Sequence, residues 1–165
     1  MRGIARSWLL VTACSALMQA SCQGFPPRPM QSTPAETQHL RDQLSRWLEC
    51  DECWNGELAA VAAAGPKLEP SLIAVLREGM SPATRARLAR QLQSSWDAAP
   101  HAAAGFAREE YVALELGNRD ALHRVRAALA LGEIASITAR AALEQALAQG
   151  QRPSVEQAIR AALGS

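Results

Sequence analysis

Apolar residues recur along this chain at helical spacing, and no run shows the sustained period of two that a half-buried strand needs. Leu40, Leu44, Trp47 and Leu48 fall at i, i+4, i+7 and i+8, which is one stripe of a helix and implies neighbours to receive it. Ahead of the stripe, Thr33-Pro34-Ala35-Glu36 has the form of a helix start. Thr33 offers a capping oxygen, Pro34 fits the first turn, and Glu36 is the reciprocal partner of a capping box. The same punctuation then recurs at short intervals. Asn55 precedes a helix over 56–65, Gly65-Pro66 breaks it, Glu69-Pro70 opens a helix to Gly79, and Ser81-Pro82 opens another to about Asp97. Beyond the loop at 97–105, helices are predicted at about 106–117, 119–132, 136–149 and 153–164. The predicted fold class is all-α.

The helices repeat. Leu72, Leu76, Gly79, Pro82, Leu88 and Leu92 return at a constant offset of 71 as Leu143, Leu147, Gly150, Pro153, Ile159 and Leu163. A helix that ends on a left-handed glycine, with proline opening the next helix three residues later, explains the spacing. Ala130-Leu131-Gly132 also returns 32 residues later as Ala162-Leu163-Gly164, the length of one helical hairpin.

With Arg124, Ala127, Ala128 and Ile134, and with Pro153, Val155 and Ala158, these triplets resemble the bacterial HEAT-like repeats, including those of the phycobilisome lyases. The resemblance covers about 120–165 well and 56–96 weakly. Three features depart from the family pattern: His123 stands where valine is usual, Glu156 where arginine is usual, and Ala135-Ser136 replaces the Asp-Pro turn. Such resemblance implies a short α-solenoid of antiparallel helix pairs over 34–165, each pair burying an alanine-rich face on the next. Leu129, Leu131 and Ile134 are then expected in the seam, with Gly132 ending its helix. Arg124 and Arg126 are expected outside, packed along their stems, and His123 faces the core. The array ends at Gly164-Ser165 without a polar capping helix, and a third reading, after a scaffold and a thiol-disulfide protein, is an adaptor that completes its solenoid only against another chain.

The amino terminus has a different pattern. Arg2 and Arg6 precede an apolar run from Ser7 to Met18 and then small residues, the layout of an export signal over 1–22. The run is short of the roughly 20 apolar residues of a spanning helix. Cys22, after Ala20-Ser21, resembles the lipidated cysteine of a bacterial lipoprotein, although Gln19 is unusual three positions before it. Cys14 has a better four-residue context but leaves a very short signal, and ordinary cleavage near Ala20 or Gly24 is the alternative. Residues 23–33 are proline-rich and without apolar periodicity, and read as a tether. Extended at about 3.1 Å per residue, it reaches roughly 30 Å. These features place the protein outside the cytoplasm, in the periplasm or cell envelope, with membrane attachment only through a lipid at Cys22.

Composition narrows the function. Loss of Arg2 and Arg6 with the signal changes the formal charge of +1 to about −1, so no basic excess draws the chain to nucleic acid. Aromatic residues are only 4%, so the core must be built from small and aliphatic side chains, which suits helices packed closely on helices.

The one stretch with candidate chemistry is LECDECWNGELAAV, where Cys50 and Cys53 form a Cys-x-x-Cys. Covalent haem attachment would need histidine after the second cysteine, and Trp54 is there. A structural zinc site would need a second ligand pair, and His39, His101 and His123 lack the spacing. A thiol-disulfide redox pair would follow a strand in positive surroundings, whereas Glu49, Asp51, Glu52 and Glu57 crowd this one. A structural disulfide that braces the end of the first helix and holds Trp54 accounts for the pair in an oxidising compartment, and two reduced thiols remain the alternative.

No nucleophile elbow, phosphate loop or zinc-protease motif is present. The histidines are followed by Leu40, Ala102 and Arg124, so the His-Glu dipeptides of metal-dependent repeat hydroxylases are also missing. No cofactor and no catalytic activity are expected. The expected function is a protein-interaction or scaffold module, with the thiol-disulfide protein as the alternative. Candidate contact residues are Arg85, Arg87 and Arg90, on the helix after Pro82, and Trp96, Phe106 and Tyr111, beside the loop. A solvated face for the arginines and a core place for Trp96, at the end of the Leu88 and Leu92 stripe, are the simpler readings of the same residues.

Overall fold

Thr33 starts the first helix as its sequence predicts: its hydroxyl accepts the Glu36 amide at 3.2 Å, and Pro34 occupies the first turn. A computed structural model of the chain describes residues 33–50, 53, 56–99 and 105–164, which fall in one compact unit. The export signal, Cys22, nearly all of the tether, and Trp54 lie outside the described residues. Among those described there are seven helices and no strand: α1 (Pro34–Glu49), α2 (Gly56–Ala63), α3 (Gly65–Glu78), α4 (Pro82–Ala98), α5 (Arg108–Ile134), α6 (Ile137–Ala148) and α7 (Pro153–Gly164). No single helix among them is long and apolar enough to cross a membrane.

In α1 the predicted stripe is the buried one, with Leu44, Trp47 and Leu48 in the core and Leu40 packed against it. The Glu36 carboxylate pairs with Lys67 of α3. A bend of 111° at Ala64 separates α2 from α3.

The start of α3 corrects the sequence reading. The helix begins at Gly65 and carries Pro70 inside it. Pro66 already suits the first turn, and Pro70, so near the amino end, removes only one internal hydrogen bond. Burial of Leu68, Leu72 and Leu76, each at most 1% exposed, holds the helix together across it.

The second correction is α5, a continuous helix of 27 residues where two were predicted. Gly117-Asn118 lies inside it. A glycine there costs about 1 kcal/mol against alanine, too little to break a helix whose buried face continues on both sides. A Cβ at Gly117 would lie 2.7 Å from Nη2 of Arg152. Nor does Gly132 end the helix: Ala135, at φ 52, is the left-handed cap, and Gly132 is a point of close approach. A Cβ at Gly132 would meet Cβ of Ala162 at 2.7 Å and its Cα at 2.9 Å. The two Ala-Leu-Gly triplets therefore touch each other across the α5–α7 contact.

All six other helices pack on α5. Its Ala127, Ala128 and Ala130 are fully buried, and their small side chains permit the crowding. The offset of 71 appears as a shared turn: Gly79 has φ 75 and Gly150 φ 72, and α4 and α7 each begin at a proline three residues later. The chain then diverges. α7 lies on α5 and α6, whereas α4 leaves α3 and lies on α5.

Candidate functional site

Two arginines, two residues apart on α5, hold the carboxyl ends of two other helices. Nη1 of Arg126 donates to the carbonyls of Trp47 at 2.7 Å and Leu48 at 2.9 Å, and Nη2 donates to that of Cys50. Arg124 Nη1 donates to the carbonyls of Leu76 at 3.0 Å and Arg77 at 2.8 Å. Helix ends leave carbonyls without internal partners, and a cation there is favoured by the helix dipole. Arg126 is 2% exposed, and its guanidinium carbon lies 5.9 Å from the Trp47 ring centroid. The expectation that both arginines lie outside is overturned for Arg126, and Arg124 is part-buried.

The turn that Arg126 holds is the one closed by Cys50 and Cys53, which form a disulfide with S–S 2.06 Å and Cα–Cα 5.5 Å. Cys53 packs against the core. In this form neither sulfur is a thiolate, and among the described residues no three His, Cys, Asp or Glu side chains are grouped to hold a metal ion. What the disulfide does to Trp54 lies outside the described residues.

Asp120, one turn before Arg124, is a second junction. Its carboxylate accepts the Met80 amide at 2.9 Å, Arg85 at 2.8 Å and Arg124 at 3.0 Å. Burial pushes the Asp120 carboxyl up, but the Met80 amide and the two guanidiniums outweigh it and hold it below the usual value. Gly79 must be glycine here for two reasons: its φ is positive, and a Cβ would fall 2.2 Å from Oδ1 of Asp120.

His123 is buried as expected, at 4% exposure. It lines a cleft of about 300 Å³ between α1, α3 and the start of α4, whose walls include Leu44, Leu48, Val75 and Met80. Burial pushes the His123 imidazole below its ordinary pKa, Arg126 and Arg119 add to the shift, and Glu49 and Asp120 oppose it. A more polar hollow of about 500 Å³ lies between Asp120 and Arg124 on one side and Gln149, Gln151 and Arg152 on the other.

The sequence-predicted contact residues separate into two groups. Arg85 and Arg87 form ion pairs within the protein, with Asp120 and Glu49, and so fasten α4 to α5 and to the end of α1. Arg90 is exposed. Trp96 and Tyr111 are half-buried and touch, with ring centroids 5.5 Å apart, and Phe106 nearby is 47% exposed.

Sequence reasoning missed Asp120 as a junction and Arg126 as a buried group. A signal for Arg126 was present: His123, Arg126, Ala127, Ala130 and Leu131 fall at i, i+3, i+4, i+7 and i+8, one buried stripe that includes the arginine. Comparison of the chain with protein-family models, with curated proteins and with solved structures finds no match.

Proposed function

We propose that this protein is a non-enzymatic interaction module of the bacterial envelope. In this reading it is exported by its amino-terminal signal, attached through a lipid at Cys22 and held off the membrane by the tether. Its HEAT-like helix pairs, α6–α7 among them, stack as a short solenoid on α5 and present α4 to a protein partner. The repeated glycine turn and the Gly132–Ala162 contact support the repeat reading.

The observation that carries the interaction reading is α4 itself. Along its 17 residues none is fully buried, and Leu88, Leu92 and Trp96 form an apolar stripe that stays partly exposed. Trp96 touches Tyr111 of α5, and Phe106 and Leu114, on either side of Tyr111 in the sequence, are 47% and 44% exposed. Exposed aromatic and aliphatic side chains grouped in this way are the usual anchors of a protein contact.

The test is photo-crosslinking in the native host from a probe at Gln93 on α4, compared with a probe at Glu144 on α6. A single crosslinked species from α4, lost when Leu92→Glu and Phe106→Glu are introduced together, is the expected result. Crosslinks of equal yield from both positions, or none from α4, would remove the reading. A mixed disulfide trapped by a Cys53→Ser variant would instead favour the thiol-disulfide alternative.

A further inference from the structure

The cleft beside His123 has no role in the interaction reading, and its chemistry is specific. Its walls are aliphatic, from Leu44, Leu48, Val75 and Met80, and its volume is about 300 Å³. That is the lower end of the range for small-molecule pockets, and about twice the size of a cavity that admits benzene. One polar ring sits in this apolar surface. His123 is 96% removed from solvent and lines the cleft; no hydrogen bond joins its ring to another described residue, and its nitrogens are not among the fully enclosed, unpaired atoms, so the cleft is where they stay open. A ring nitrogen that opens only onto an apolar cleft is a point where a ligand hydroxyl can take the place of water.

We propose that this cleft binds a small uncharged amphiphile, a phenol or an alcohol of similar size, whose hydroxyl pairs with the His123 imidazole while its apolar body lies against Leu44, Leu48 and Val75. A hydroxyl both donates and accepts, so it satisfies a neutral imidazole in either tautomer. Burial keeps the ring neutral, although Glu49 and Asp120 draw it the other way. The rim favours an uncharged ligand. Arg41 and Glu49 both border the cleft, one of each sign, so neither sign of charge is preferred. Ser81 and Thr84, at the start of α4, also line the cleft.

The experiment is titration of the full chain with p-cresol, following the His123 ring by heteronuclear NMR, with toluene as a probe of similar shape that lacks the hydroxyl. The His123 resonances are identified by their loss in His123→Gln. The proposal expects saturable one-to-one binding that shifts those resonances, with toluene bound about tenfold more weakly because the imidazole stays unpaired. It also expects Val75→Trp, which fills the cleft from the α3 side, to abolish p-cresol binding while the helical circular dichroism is kept. Equal affinity for the two probes, no shift of His123 at millimolar p-cresol, or unchanged binding in folded Val75→Trp overturns it. If the filled variant does not fold, the contrast between the two probes on the unaltered chain decides alone.

Discussion

α4 and α7 begin with the same device and end in opposite environments. Each follows a glycine of positive φ and opens on proline, 71 residues apart. α7 then buries Val155, Ala158 and Ile159, while α4 buries nothing. The corresponding positions explain the difference. Where α7 has Val155, Ala158 and Ala162, α4 has Thr84, Arg87 and Gln91. Ala162 is the residue that touches Gly132, an approach that a glutamine side chain would prevent. Small residues let α7 come close to α5, and larger polar ones hold α4 off, fastened by Arg85 and Arg87. A capping device determines where a helix starts and leaves open how deeply it is buried.

The largest effect is expected from making α7 resemble α4. Ala158→Arg should destabilise the fold by about 4 kcal/mol, because it overfills a close contact and buries a charge, and urea denaturation would measure it. A loss below about 1 kcal/mol would show that α7 is as loosely held as α4.

The second largest is Arg126→Ala. Three backbone carbonyls at the end of α1 lose their donor, and the expected cost is about 3 kcal/mol by the same assay. Arg126→Lys should recover only part of this, since one ammonium cannot match two guanidinium nitrogens spread over three acceptors.

Replacing Cys50 and Cys53 together by serine opens a ring of very few residues, and the loop-entropy estimate is about 2 kcal/mol. The loss should be confined to the end of α1, read as faster amide exchange at Trp47 and Leu48 while α7 is unchanged.

Acid should weaken the α5 junctions in two stages. The His123 pKa is lower in the fold than its ordinary value of 6.5, so the unfolded chain binds the proton more readily. Its contribution is complete above about that pH and declines as pH falls below it. Asp120 is also lowered, from 3.8, so its contribution is present above that value and is lost as pH falls further, through the folded pKa. His123→Phe should flatten the first stage only, in denaturation curves measured from pH 7 to 5.

The smallest effect is at α4. Arg87→Ala removes an ion pair whose arginine is about half exposed, and should cost less than about 1 kcal/mol. A larger loss would mean that α4 is part of the core fold.

Local features were legible in the sequence because their bonds span three or four residues. Thr33, Ser81 and Ser136 each accept an amide three residues on, and each sits where a predicted helix begins. The Leu40 to Leu48 stripe was readable for the same reason, and the spacing of Cys50 and Cys53 allowed the disulfide. Gly117 and Gly132 were misread because a glycine inside a helix looks like one at its end. Only Arg152 and Ala162, 35 and 30 residues away, distinguish the two.

By itself, the sequence determined the helical class of the described residues, most of their helix starts, the repeated glycine-proline turn and a cysteine spacing that allows the short disulfide, since each depends on neighbours along the chain. The tertiary structure alone decided that Arg126 is buried, that Asp120 joins α3, α4 and α5, that His123 opens onto a cleft, and that α4 stays at the surface. Those outcomes depend on carbonyls, amides and small side chains some 35 to 80 residues distant, which no local periodicity brings together.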